Sequence, residues 1–361
     1  METKIVEIRR QDLEKGNLDI VLKEAGRILK GGGLVAFPTE TVYGLGGAAF
    51  NADSAKRIYE AKGRPSDNPL IVHIFQVEDL NRLAVDIPES AWRLAEAFWP
   101  GPLTMVLPKA KEVPMETTGG LNTVAVRMPS DPVALAFIRQ AGGFVAAPSA
   151  NLSGRPSPTC SKYVIEDMEG RIEMILAGED CTIGLESTIV DLTSPIPAVL
   201  RPGYITLDML EKALGSVETD PAIFADNCTE APRAPGMRYR HYAPRGELTI
   251  IQGGEADVIR RIRKEVVRVR AAGKKTGIIC ADESLSLYRI GEEAKGCADS
   301  IKSLGRREDE EAIAKHLYRI LREFDEEGVE VIFSESFSDY GMGQAIMNRL
   351  LKAAGHRTVE A

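Results

Sequence analysis

Gly32–Phe50 reads GGLVAFPTETVYGLGGAAF, an apolar run that breaks at Pro38 into two threonines flanking Glu40, then a tyrosine and three further glycines. A hydrophobic strand alone requires none of that polar chemistry. A site built where a strand ends requires all of it. Upstream, NLDIVLKEAGRILKGGG spaces Ile20, Val21, Ala25, Ile28 and Leu29 as an amphipathic helix stopped by glycines. GLVAFP (33–38) then reads as a buried strand. Downstream, NADSAKRIYEAKGRP is expected to form a helix capped by Asp53, with Ala55, Ile58 and Tyr59 on one face and Gly63 and Pro65 ending it. The segments PLIVHIF, LTMVLP, TVAVRMP, GFVAAPSA, ESTIVDL and PAVLRPG read as strands, with the helical patterns ESAWRLAEAFW and DPVALAFIRQAG between them. Strands alternating with helices indicate an α/β fold with a mixed sheet.

A chain of 361 residues exceeds what one core accommodates, so two domains are expected. The composition changes at Thr229–Gly246, TEAPRAPGMRYRHYAPRG, where three prolines break regular structure and four arginines face one glutamate. Beyond it lie a strand at ELTIIQGG, a helix near Ala256–Ala271, a strand at KTGIICA, and a long helix with Ile313, Leu317, Ile320, Leu321 and Phe324 on one face. The strand GVEVIFSES and the helix GQAIMNRLLKAAG complete a smaller α/β domain. The expected division is residues 1–228, a linker at 229–246, and residues 247–361.

Composition excludes several classes. A formal charge of −8 argues against a generally basic nucleic-acid coat while permitting a local cationic pocket. No apolar run approaches the roughly 18–20 residues that span a bilayer, and METKIVEIRRQDLEKG lacks the hydrophobic segment of a secretory signal, so a cytoplasmic protein is expected. Five widely spaced cysteines without a CxxC pair, and four histidines without HExxH, argue against structural zinc.

The first domain's strands end in polar or turn-forming residues: Pro38-Thr39-Glu40-Thr41, Met128-Pro129, Pro148-Ser149-Ala150-Asn151 and Arg201-Pro202-Gly203. Lys62, Arg64, Arg127 and Arg201 suit a polyanion or a carboxylate, and the hydroxyls of Thr39, Thr41, Ser149, Ser153, Ser187 and Thr188 suit its remaining polar groups. Each piece alone has an ordinary reading as a turn, a solvated loop or a surface arginine lying over apolar neighbours. Their repetition at strand ends in one domain favours a site. No GxxxxGK[ST] loop occurs, and GMG at Gly341–Gly343 lacks a third glycine at dinucleotide-binding spacing. A nucleotide would need a different pocket.

Taken in order, PTETVYGLGG, KGRPSDNPLIVHI, VAVRMP, APSANLSGRPSPT, ESTIVD and LRPG resemble the YrdC-type catalytic domain of the threonylcarbamoyl-AMP synthase family. APGMRYRHYAPRG and the domain after it resemble the linker and extension of that family's long form. The resemblance implies a YrdC-type twisted mixed sheet with a concave active site, plus a Rossmann-like C-terminal domain. It implies condensation of L-threonine, bicarbonate and ATP, with Mg²⁺, into threonylcarbamoyl-AMP and pyrophosphate, for transfer to tRNA by downstream machinery. By the same resemblance, threonine is held by Thr41, His73, Arg127, Ala147 and Ser187, and ATP by Lys62, Arg64, Asn68, Thr123, Ser149, Ser157, Arg201 and Tyr239. No covalent nucleophile and no protein metal ligand is implied. The linker is expected to act as a lid over the nucleotide. Two other readings stay open at this point: a double-stranded-RNA or tRNA-binding module, and a carbamoyl-transfer enzyme with a related domain.

Overall fold

The computed structural model describes residues 1–223, 241–289 and 297–361. The chain forms two compact units: Met1–Ser153 with Ser157–Tyr239, and Gly154–Pro156 with Arg240–Ala361. The linker's residues up to Arg240, including Tyr239, and Cys228 lie outside the described residues.

The first unit is built on strands β1 (Lys4–Glu7), β2 (Val35–Phe37), β3 (Gly44–Ala48), β4 (Ile71–His73), β5 (Leu103–Pro108), β6 (Thr123–Arg127), β7 (Val145–Ala147), β8 (Met174–Ala177), β9 (Thr188–Asp191), β10 (Ala198–Arg201) and β11 (Glu218–Thr219). They form one mixed sheet in the order β1-β8-β2-β3-β7-β4-β6-β5-β9-β10-β11. Alternation along the opening stretch sends Val35 and Phe37 to one apolar cluster and Leu34 and Ala36 to another, so the sheet is covered on both faces.

Two local expectations need correction, and one strand is not anticipated. The helix Asp19–Lys30 buries Leu22, Ala25, Gly26 and Leu29, while Ile20 is 78% exposed. The buried stripe is therefore rotated from the face that the spacing suggests. Asn51, not Asp53, caps the helix Ala52–Lys62: its side chain accepts from the amides of Asp53 (2.9 Å) and Ser54 (3.3 Å). Asp53 sits in the first turn, too far into the helix to cap it. The unanticipated strand is β3, GLGGA, whose glycine content hides it in the sequence. A Cβ on Gly46 would come within 2.8 Å of Val145 Cγ1, so the strand is glycine-rich because its neighbours press against its backbone.

The second unit is a parallel sheet of β12 (Glu247–Gln252), β13 (Thr276–Cys280), β14 (Ser300–Ser303), β15 (Val331–Glu335) and β16 (Thr358–Glu360), ordered β14-β13-β15-β12-β16. The helix Glu310–Glu326 buries Ile313, Leu317, Ile320, Leu321 and Phe324, the face its spacing indicated. Within this unit the buried Arg322 donates to Pro156 O from Nε (3.0 Å) and Nη2 (2.7 Å). Cys160, Cys181 and Cys280 are buried free thiols, and Cys297 is half-buried. Among the described residues no helix is long and apolar enough to cross a membrane.

Candidate active site

Register places the polar residues side by side. His73 ends β4 opposite Arg127 of β6 and Val145 of β7; Arg127 in turn faces Thr104 of β5, and Leu103 faces Thr188 of β9. The segments Pro38–Val42 and Glu186–Ser187 reach the same residues through side-chain bonds.

Arg127 is buried and divides its guanidinium among three directions. Nη1 donates to Thr41 Oγ1 (2.9 Å), Nε reaches Gly101 O (3.4 Å), and Nη2 lies 2.8 Å from Glu40 Oε1. The hydroxyls beyond it have a fixed polarity. Thr39 donates its proton to Val42 O (2.6 Å), so in the 3.0 Å contact between the two threonines Thr41 is the donor. Thr41 Oγ1 thus accepts from Arg127 and donates to Thr39. A matching arrangement surrounds Ser187: Arg201 donates to its carbonyl from Nε (3.0 Å) and to its Oγ from Nη2 (3.1 Å), and Thr104 shares a 2.7 Å hydrogen bond with the same Oγ. Two buried arginines, each tied to a hydroxyl, therefore close β6 and β10, with β5 and β9 between them.

Lys62 is buried at the end of its helix and donates to the carbonyls of Ser149 and Asn151. Ser149 Oγ donates to Asn151 Oδ1 (2.5 Å). Arg64 is half-buried and holds Pro69 O (3.0 Å) and Asn68 O (3.3 Å), while Ser157 Oγ donates to Glu186 Oε1 (2.6 Å). Ala147 closes β7 opposite Ile71. Thr123 is separate: it opens β6 and Arg127 closes it, about 13 Å away at strand rise. Of the other hydroxyls at the strand ends, Thr188 is committed to Ile205 O (2.7 Å), and Ser153 is exposed. Sequence reasoning misses Glu40, Thr104 and Glu186. Glu40 stands in the opening motif and Glu186 immediately before Ser187; Thr104 is legible only as the lone hydroxyl in an apolar strand.

Burial, and secondarily the charge of Arg127, pushes the His73 imidazole down to about 3. It is neutral at physiological pH, which suits positioning rather than charge pairing. Because the folded value lies below the unfolded one, the unfolded chain takes up the extra proton between them. The stability contributed is fully present above about pH 6.5 and is lost as the pH falls toward about 3. His73→Asn is expected to flatten this dependence by up to about 1.4 kcal/mol per pH unit, read from denaturant unfolding at about pH 4 and about pH 5. An unchanged slope would contradict a neutral buried His73.

Residues 27–203 match the Sua5–YciO–YrdC family model, described as telomere recombination, and residues 205–355 match the model described as threonylcarbamoyl-AMP synthase, C-terminal domain. The chain is 46% identical over 339 residues to a threonylcarbamoyl-AMP synthase of Pyrococcus abyssi, covering 94% of this chain and 95% of that protein. It is 46% identical over 342 residues to a Bacillus subtilis protein of the same name, again covering 94% and 95%. The crystal structure of P. abyssi Sua5 complexed with L-threonine superposes with a TM-score of 0.89 at 44% identity, covering 99% of this chain and all of that one. Neither the RNA-binding module nor the related carbamoyl-transfer enzyme is favoured by these matches, which run through both domains. Similar along nearly its whole length to proteins of one name, the chain belongs to the two-domain threonylcarbamoyl-AMP synthase family.

Proposed function

We propose that this chain condenses L-threonine, bicarbonate and ATP into threonylcarbamoyl-AMP and pyrophosphate, and that downstream machinery transfers the threonylcarbamoyl group to adenosine in tRNA. The observation that carries the reading is the pair of buried arginines at the ends of β6 and β10, Arg127 on Thr41 and Arg201 on Ser187, linked across the intervening strands by Thr104, which faces Arg127 and bonds Ser187. One guanidinium suits an amino-acid carboxylate and the other a nucleotide phosphate. Thr41, His73, Ala147 and Ser187 line the amino-acid side in this reading. Lys62, Arg64, Asn68, Thr123, Ser149 and Ser157 join Arg201 on the ATP side, and Tyr239, outside the described residues, is assigned there by family resemblance alone. The relative's complex with L-threonine supports the amino-acid assignment.

Threonine's amine and bicarbonate form an N-carboxylate with loss of water, and its oxygen then attacks the α-phosphorus as pyrophosphate leaves. The chain's task is to align two anions and neutralise charge at phosphorus, which buried, pre-paired arginines do without reorganising. Among the described residues no three His, Cys, Asp or Glu side chains converge. Mg²⁺ would arrive on the ATP phosphates with several waters retained and would neutralise phosphate charge there. A cytoplasmic location belongs to the same proposal, since ATP and tRNA are both supplied there.

Purified protein is expected to release pyrophosphate only when threonine, bicarbonate, ATP and Mg²⁺ are present together. Release that survives omission of threonine would point to another reaction.

A further inference from the structure

Glu40 stands out among the buried carboxylates. Its side chain is 6% exposed, yet neither Oε1 nor Oε2 accepts a hydrogen bond from the described residues. The 2.8 Å approach of Arg127 Nη2 is an ion pair without hydrogen-bond alignment, since that nitrogen has no hydrogen-bond partner either. Carboxylates with a structural task look different in this chain. Glu335 accepts from Ala281 N (3.1 Å), Tyr288 Oη (2.9 Å) and Arg307 Nη2 (2.5 Å). Asp131 caps a helix through Val133 N (2.9 Å) and Ala134 N (3.1 Å) and also receives Arg10. A buried carboxylate held without donors is costly and calls for a reason. Its backbone is not free to relieve the cost, because Glu40 O accepts from Ile183 N (2.8 Å) and the next residue, Thr41, is tied to Arg127.

We propose that Glu40 receives the α-ammonium of the amino-acid substrate, so that Glu40 and Arg127 together form a charge-neutral site for a zwitterion. This rests on the reading of threonine as the substrate and of Arg127 as its carboxylate partner. Arg127 alone would take any small anion, including bicarbonate or a phosphate. A neighbouring carboxylate cancels that general attraction and returns it only to a molecule that brings an ammonium beside its carboxylate. The specificity is negative as well as positive: an anion without the ammonium meets Glu40 as a like charge.

The test is titration calorimetry on the full-length protein with L-threonine and with 3-hydroxybutanoate, which has the same carbon chain and carboxylate but no ammonium. Wild type is expected to prefer threonine by about a hundredfold or more. Glu40→Gln keeps shape and removes charge; it is expected to weaken threonine by at least about thirtyfold while binding 3-hydroxybutanoate as well as wild type or better. Glu40→Asp keeps the charge and is expected to retain the preference for threonine. Melting temperatures establish that each variant is folded. The proposal is overturned if Glu40→Gln keeps threonine affinity, or if both ligands weaken equally, as a structural role would require. Should Glu40→Gln not fold, wild type decides: equal binding of the two ligands rejects the ammonium site, and a strong preference for threonine that Glu40→Asp keeps upholds it. Failure of the threonine reading itself is separable, because wild type would then bind no threonine at all.

Discussion

Arg127→Lys is expected to weaken threonine binding by at least about a hundredfold while changing ATP affinity by no more than about threefold. The guanidinium serves Thr41, Glu40 and Gly101 O from three separate nitrogens. A lysine ammonium is a single point on a flexible stem. It can face Glu40 or the substrate carboxylate, and it cannot present the planar pair of N–H groups that a carboxylate accepts in parallel. Keeping the charge avoids leaving Glu40 as an uncompensated buried anion, which would cost about 3–5 kcal/mol and blur binding with stability. Calorimetric titration of each ligand separately, on protein whose melting temperature has been checked, separates the effects. Equal loss for threonine and ATP would reject the assignment of Arg127 to the amino acid.

Gly203→Ala is expected to lower stability by about 3 kcal/mol and to abolish most activity, although glycine-to-alanine changes elsewhere are often mild. A Cβ at this position would lie 2.4 Å from Thr188 N, 2.7 Å from Thr188 Oγ1 and 2.8 Å from Ser187 C. Two of those atoms are backbone, so no rotamer change relieves the clash. Thr188 N is bonded to Pro102 O (3.0 Å) and its hydroxyl to Ile205 O (2.7 Å), which holds the start of β9 against β5 from one side while the new methyl pushes from the other. One of the displaced atoms is Ser187 C, and that residue's carbonyl and hydroxyl both engage Arg201. Loss of activity should therefore exceed what the fall in melting temperature explains, with both substrates binding more weakly at a temperature where the variant is folded. Unchanged melting and turnover would mean that the Arg201–Ser187 contact tolerates movement and is not part of the working site.

The motif Leu200–Gly203 shows how little of this is visible in one dimension. A strand ending in arginine, proline and glycine marks a site candidate, but nothing in the string says that the glycine abuts Thr188, or that the arginine turns back to Ser187. Burial patterns behave alike. The long helix Glu310–Glu326 is legible because its apolar spacing covers many turns, whereas the stripe of Asp19–Lys30 misleads at Ile20 because that helix is shorter and distant elements, chiefly the helix Pro132–Gln140, decide which side is covered. The strand β3 escapes reading because glycine lowers every strand propensity, and its justification lies in Val145, on another strand.

What the amino-acid string determined by itself is the α/β alternation, the polar strand ends in their order, and the family those ordered motifs belong to. These are properties of short segments, since period, turn chemistry and residue type are encoded within a few positions of one another. Tertiary structure alone decided which side chains meet: Arg127 with Thr41 and Glu40, Thr104 with Ser187, Arg322 with Pro156. It also decided that His73 is neutral and that both oxygens of Glu40 lack hydrogen-bond donors among the described residues. Such facts depend on strand register and on exclusion of water, and both arise only when segments far apart in the chain pack together; a one-residue slip of β6 against β4 would turn Arg127 to the other face of the sheet.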